Sequence, residues 1–346
     1  ETLMLAFSGN EGLAVPLRAL FLGAQPHPDL KAWPELTGWQ PLKSLADEWD
    51  RAGFSRVDDL PDGKWPVVLI LPGKSRDETL FWYSIAKDRL EPGGRIVVAM
   101  PNTAGAARFE KELAQAAGSI GSIQKNKCRA FHAVDQVTWN EATLGEWRVL
   151  GGLRKIPGTH YVTSAGIFSC DHIDPGSRLL GECLPASLHG HLADLGAGWG
   201  FLSDIALARC SRIERIDLFE ADARALGCAK QNLARHRPVE NPLSSPVCYA
   251  GDDPRFRFHW HDVTTGLPET YDAILMNPPF HTGHETDVDL GRAFLTNAAA
   301  SLKRNGKLYL VANRQLPYET LLDSLRMSWR KVAEDKTYKV IIADKR

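Results

Sequence analysis

Apolar positions in this chain gather into short runs separated by amphipathic stretches of helical period, and the two kinds alternate from end to end. In the first half Val67–Leu71 and Arg95–Met100 read as buried strands, with helices expected over Glu78–Leu90 and Ala104–Ala117. In the second half strand-like runs close at Leu195, at Glu220 (from Ile213), at His261 (from Phe256) and at Met276 (from Tyr271). Further strands are predicted near Leu308–Val311, Trp329–Ala333 and Tyr338–Ile342, the last two as a hairpin across Glu334-Asp335-Lys336. Helices are predicted through Asp204–Arg209 and over Asp222–Arg235. Ile156–Ser169 reads as extended structure with a Pro-Gly turn. Asp174-Pro175 has the form of an N-cap and first helical residue, opening a helix toward Leu184. Such alternation implies α/β folding on a mostly parallel, doubly wound sheet, with one antiparallel strand from the closing hairpin.

Two blocks of the pattern repeat. Leu90–Met100, with Gly94, parallels Leu302–Ala312, with Gly306 at the same offset, and each follows a strand, a turn and a helix. On that alignment Leu71-Pro72-Gly73-Lys74 stands where Asn277-Pro278-Pro279-Phe280 stands. An internal duplication is therefore expected, with one domain over 1–148 and another over 149–346. A chain of 346 residues suits two such domains.

The two halves differ in chemistry. Leu192–Leu195 leads into Gly196-Ala197-Gly198-Trp199-Gly200, a strand and glycine turn before a helix. Such a turn lets the backbone approach a ligand closely. Glu220, at the tip of the next strand, is placed to accept from ribose hydroxyls. Asp194 before the turn repels a pyrophosphate and suits cationic amino and sulfonium groups, which favours S-adenosylmethionine over a dinucleotide. Asp262-Val263 offers an acceptor and a backbone N–H for an adenine. Asn277-Pro278-Pro279-Phe280 ends the fourth strand with a side-chain acceptor, two prolines that stiffen the turn, and a flat ring for stacking. The first half has no equivalent set. Pro72-Gly73-Lys74 lacks the acceptor and the ring, and its only early glycine cluster, Ser8–Gly12, lacks the Asp-x-Gly-x-Gly form. One active site is expected, in the second half, with a first half free of cofactor.

These residues resemble the bacterial ribosomal RNA guanine-N2 methyltransferases of the small-subunit (RsmC-like) type, with the large-subunit sister family close behind. The matching segments are Gly166-Ile167-Phe168-Ser169, Asp174-Pro175-Gly176-Ser177, Asp194 to Gly200, and Asn277-Pro278-Pro279-Phe280-His281. Val311-Ala312-Asn313, Leu316-Pro317-Tyr318 and Tyr338-Lys339-Val340 complete the match. The resemblance implies two tandem class I methyltransferase-like (Rossmann-like) domains and methyl transfer to a guanine N2 amine of 16S rRNA. It implies catalytic roles for Asn277, Pro278 and Phe280. Cofactor contacts would come from Asp194, Gly196, Ala197, Gly198, Gly200, Glu220, Ala221, Asp262, Val263 and Asn277. Pro279, Phe280, His281 and Phe168, the last as a lid residue, would meet the substrate. Two alternatives stay open: a protein glutamine methyltransferase, which usually carries a tyrosine after its two prolines, and a ribosome-assembly factor without catalysis.

Composition adjusts this picture in three places. The net charge of −1 is low for an RNA binder, so the basic contacts must be local. Candidates are Lys125, Lys127, Arg129, Arg148, Arg154 and Lys155, with Arg235 and Arg237 as an outlying pair. No apolar run approaches membrane-spanning length and no leader-like segment opens the chain, so a cytoplasmic protein is expected, and a monomer. The six cysteines show no C-x-x-C pairing, which argues against zinc and against a disulfide framework.

Overall fold

The apolar runs become the central strands of two seven-stranded sheets. The computed structural model describes residues 1–8, 13–135, 139–236, 253–279, 281–282, 285–286 and 288–346, and for 281–287 it describes no side chains. The chain divides into two compact units, one of Glu1–Leu153 with Ser164–Gly166, the other of Arg154–Thr163 with Ile167–Arg346. The first unit runs past Arg148 because the helix over Glu141–Leu150 buries Leu144 and Trp147 in the first unit's core.

The first unit holds β1 (Arg18–Leu22), β2 (Glu35–Trp39), β3 (Ser55–Val57), β4 (Trp65–Ile70), β5 (Leu90–Pro101), β6 (Gly121–Lys125) and β7 (Cys128–Val134). Its helices are α1 (Thr2–Leu5), α2 (Lys43–Arg51), α3 (Arg76–Asp88), α4 (Ala106–Ala117) and α5 (Glu141–Leu150). The second unit opens with a small hairpin, β8 (Arg154–Lys155) and β9 (Val162–Thr163), and then α6 (Pro175–Cys183). There follow β10 (His189–Leu195), α7 (Phe201–Arg209), β11 (Arg212–Glu220), α8 (Ala223–Leu233), β12 (Phe256–Trp260) and β13 (Tyr271–Met276). The short pair β14 (His281–Thr282) and β15 (Glu285–Thr286) precedes α9 (Val288–Ala300), β16 (Leu302–Asn313), α10 (Tyr318–Ser324), β17 (Ser328–Glu334) and β18 (Tyr338–Asp344).

Strand order is β3-β2-β1-β4-β5-β7-β6 in one sheet and β12-β11-β10-β13-β16-β18-β17 in the other, the same arrangement twice. Every strand but one runs the same way in each: β7 and β18 are reversed. Apolar clusters cover both faces of each sheet, which is why the central strands read as continuous apolar runs.

The repeat extends to single hydrogen bonds. After β1 the N–H groups of Gly23 and Ala24 both donate to the Trp39 carbonyl, at 3.0 and 3.2 Å. After β10 those of Gly196 and Ala197 both donate to the Phe219 carbonyl, at 2.9 and 3.1 Å. Gly94 and Gly306 share a steric reason: a Cβ on either would meet carbonyl oxygens of neighbouring backbone, at 2.9 Å (Glu91) and 2.8 Å (Lys303). The first unit's counterpart of the glycine turn is thus Leu22-Gly23-Ala24, and the Ser8–Gly12 cluster falls largely outside the described residues.

Among the described residues no helix is long and apolar enough to cross a membrane, and no three His, Cys, Asp or Glu side chains are grouped to hold a metal ion. The described cysteines are free thiols; Cys248 lies outside the described residues.

Candidate active site

Strand β10 delivers a turn whose glycines all have left-handed φ: 67° at Gly196, 54° at Gly198 and 89° at Gly200. Gly200 is also the N-cap of α7, and a Cβ there would press on Ala229 of α8 at 3.2 Å. The turn is tied to the tip of β11 through Glu220. One carboxylate oxygen accepts the Gly198 N–H at 2.7 Å and the other accepts the Asp222 N–H at 2.8 Å. Burial raises the Glu220 carboxyl above its ordinary range, opposed by those backbone donors. Asp222 caps α8 through the Arg224 N–H at 2.9 Å, and burial together with Glu220 pushes its carboxyl up to about 7.

Asp194 lies beneath the turn, 1% exposed. Its Oδ2 accepts from the Ser203 N–H (3.1 Å) and hydroxyl (2.7 Å), fastening the start of α7, while Oδ1 is buried without a hydrogen-bond partner. Burial pushes this carboxyl up to about 7. On the neighbouring strands, the Ala221 carbonyl accepts the Trp260 indole N–H at 2.8 Å. Asp262 caps the 3₁₀ turn Val263–Thr265, its Oδ1 accepting the Thr264 N–H and hydroxyl at 2.9 and 2.7 Å. Val263 is buried.

Asn277 follows β13. Its amide nitrogen donates to Asp174 Oδ2 and to Ser177 Oγ, each at 2.8 Å, so both amide hydrogens are engaged. The amide oxygen is the acceptor left on that side chain. Asn277, Asp174 and Ser177 form one wall of a cavity whose other walls are Gly196, Ala197, Gly198, Trp199, Phe201 and Leu202, with Phe168 and Ser169. Phe168 is 66% exposed there. Its neighbour Ser169 takes φ 48°, with its carbonyl held by the Trp199 indole N–H at 3.3 Å. Pro278 is buried and Pro279 exposed; Phe280 and the side chain of His281 lie outside the described residues.

The structure therefore brings Gly196, Ala197, Gly198, Asn277 and Phe168 to one cavity, with Glu220 one hydrogen bond behind. Ala221, Asp262 and Val263 sit outside its walls. Of the basic candidates, Arg129 pairs with Glu110, Arg148 with Asp88 and Glu141, and Arg235 with Asp204. Arg154 is half-buried in β8, and Arg237 lies outside the described residues. Lys125, Lys127 and Lys155 are exposed and make no ion pair among the described residues.

The family model described as the methyltransferase small domain matches residues 158–342. The ribosomal RNA small subunit methyltransferase C of Pseudomonas aeruginosa (strain LESB58) is 30% identical over 329 residues, 94% of each chain. The chain belongs to the small-subunit ribosomal RNA methyltransferase C family. Another member, from Psychromonas ingrahamii, is 29% identical over 280 residues, covering 80% of this chain and 75% of its own. Among solved structures, the T. thermophilus 16S rRNA N2 G1207 methyltransferase (RsmC), in complex with AdoMet and guanosine, has the same fold. Its TM-score is 0.76 at 22% identity, covering 95% of this chain and 88% of that one.

Within this family member, the motif residue Lys339 is a brace. Buried Lys339 donates to the Leu316 carbonyl at 2.7 Å and to both oxygens of Glu319 at 2.6 and 2.7 Å, linking the Tyr338-Lys339 segment to Leu316-Pro317-Tyr318. Asn232, on α8, was not singled out in the sequence. It is buried, accepts the Val162 N–H at 2.8 Å, and donates to the carbonyls of Val162 and Trp199 at 2.9 and 2.8 Å. It fixes β9 against the glycine turn. Nothing local marks it, because its partners lie far along the chain. Asn232→Ala leaves those backbone groups without partners, and we expect a loss of about 2–4 kcal/mol in denaturant unfolding. A loss within ~0.5 kcal/mol would show that solvent replaces the amide.

Proposed function

We propose that this chain transfers a methyl group from S-adenosylmethionine to the exocyclic N2 amine of a guanine in small-subunit ribosomal RNA. The observation that carries this reading is the Asn277 amide, its nitrogen engaged on Asp174 and Ser177 and its oxygen left to accept, on the wall shared with the glycine turn. An arrangement that offers acceptors beside a cofactor turn suits a donor substrate, and an NH2 group on a planar ring is such a donor. The names of the relatives support the choice of RNA and of guanine N2.

The residues fit the cofactor. Gly196 and Gly198 leave the turn bare of side chains, and the buried Asp194 carboxyl, pushed up to about 7, adds an acid beneath it that a cationic ligand would hold in its charged form. Glu220 and Asp222 add more, offset by Arg224, which pairs with Asp222. That field favours a ligand with ammonium and sulfonium groups. Gly196, Gly198 and Glu220 would hold it, with Asp262 and Val263 toward the adenine. When bound, it supplies an electrophilic methyl carbon.

The protein's task is then positioning. A guanine amine is a poor nucleophile because its lone pair is delocalised into the ring. Acceptance of its two N–H bonds by Asn277 Oδ1 and the Pro278 carbonyl favours the pyramidal, nucleophilic form. Orientation supplies most of the acceleration, and no strong base is required because the methylated amine, once positively charged, is acidic and would give its proton to water. Reaching the cavity costs the base its stack, a few kcal/mol, offset in part by about 1–3 kcal/mol of stacking on Phe280.

In the first unit Gln40 stands where Glu220 stands. It accepts the Leu42 N–H at 3.1 Å, as Glu220 accepts that of Asp222, but its amide nitrogen donates to the Ala24 carbonyl at 3.0 Å. A carboxylate is thereby replaced by an internally satisfied amide, which supports a first unit free of cofactor. The test is direct: purified protein, labelled S-adenosylmethionine and small-subunit particles or their RNA, followed by nucleoside mass analysis. N2-methylguanosine is expected. Label on protein glutamine, or none, would refute the reading.

A further inference from the structure

We propose that Asp174 is a positioning residue that makes Asn277 read an amine. The inference rests on methyl transfer at this site and extends it to how the amine is chosen. An asparagine side chain can present either a carbonyl oxygen or an amino group, and the two select opposite partners. Here the choice is made from behind. Asp174 Oδ2 accepts the Asn277 amide at 2.8 Å, and an ionised carboxylate has no hydrogen to give. A flipped Asn277 would set its oxygen against that carboxylate, two acceptors face to face. Ser177 Oγ takes the second hydrogen at 2.8 Å.

The carboxylate is itself built in. Asp174 is 8% exposed, and the same Oδ2 caps α6 by accepting the Ser177 N–H at 2.7 Å. Pro175 fixes the first helical residue. Gly176 lets the turn lie against Tyr338, since a Cβ there would stand 2.9 Å from that ring. A negative charge hydrogen-bonded to the amide nitrogen polarises the amide and makes its oxygen a stronger acceptor. That gain is largest as the amine acquires positive charge during transfer, so it acts on kcat more than on KM. It also sets specificity, because a base carrying a ring hydrogen or a carbonyl in place of the amine leaves the oriented oxygen unpaired.

Asp174→Ser tests this, since serine keeps a helix cap but is too short to reach Asn277. We expect kcat on rRNA to fall about 10–100-fold, with KM for RNA, cofactor affinity and the unfolding midpoint close to wild type. Competition by guanosine over inosine should narrow in the variant. A second arm uses Asn277→Asp, which sets two carboxylates together and should inactivate the enzyme. Adding Asp174→Asn restores a donor–acceptor pair and should recover at least ~10-fold of the lost rate. A helix cap alone predicts no such recovery. Wild-type kcat in Asp174→Ser, or a double variant no better than Asn277→Asp, overturns the proposal; if Asp174→Ser does not fold, the second arm decides alone. Wild-type enzyme that makes no N2-methylguanosine removes the underlying reading, and the proposal with it.

Discussion

Asn277→Ala is expected to lower methyl transfer by about 10²–10³-fold while leaving cofactor affinity near wild type. The amide oxygen is lost, and with it the acceptor that orients the amine, whereas the glycine turn and its tie to Glu220 remain. The substitution also frees Asp174 and Ser177 from a partner, but Asp174 keeps the Ser177 N–H and hence the cap of α6. Single-turnover methylation and equilibrium titration with S-adenosylhomocysteine separate the two effects. Loss of both together would show that Asn277 serves the cofactor first.

Glu220→Gln should weaken cofactor binding by roughly 10–100-fold and leave the fold intact. The fold holds because the same side chain is accommodated in the first unit, where Gln40 occupies the equivalent position. Glutamine would keep an acceptor for the Asp222 N–H but turn a donor toward the Gly198 N–H, two donors in opposition. The turn would shift, and the charge that suits a cationic ligand would be gone. Calorimetry on the full chain reads the affinity, and circular dichroism the fold. Wild-type expects one cofactor per chain. An unchanged affinity would remove Glu220 from the binding set.

Much of this molecule was legible in its sequence. The duplication followed from Leu90–Met100 against Leu302–Ala312, since a glycine forced by backbone carbonyls leaves the same mark twice. The strand ends at Leu195, Glu220 and Met276 were legible because parallel strands buried on both faces show unbroken apolar runs. β1 and β2 were not singled out, their runs being short and set among prolines and tryptophans. Asp174 was legible as a cap but not as the partner of Asn277, because that contact spans 103 residues of sequence and no periodicity encodes it. The same limit hid Asn232. Three of the basic candidates, Arg129, Arg148 and Arg235, proved to be engaged by carboxylates of the protein itself, a distinction that charge counting does not make.

Two sheets laid out on one plan carry a hazard during synthesis: a strand from one copy can enter the other before its own neighbours arrive. Divergent ring sizes work against such trespass. Among the described residues the first copy buries seven tryptophans, Trp39, Trp49 and Trp82 among them, whereas the second buries Trp199 and otherwise phenylalanine and tyrosine rings such as Phe219, Tyr271, Phe294 and Tyr318. A misplaced strand would leave a void or an overlap, at a cost of about 1–3 kcal/mol per mismatched ring. Dissimilar aromatic filling thus penalises a strand that enters the wrong half.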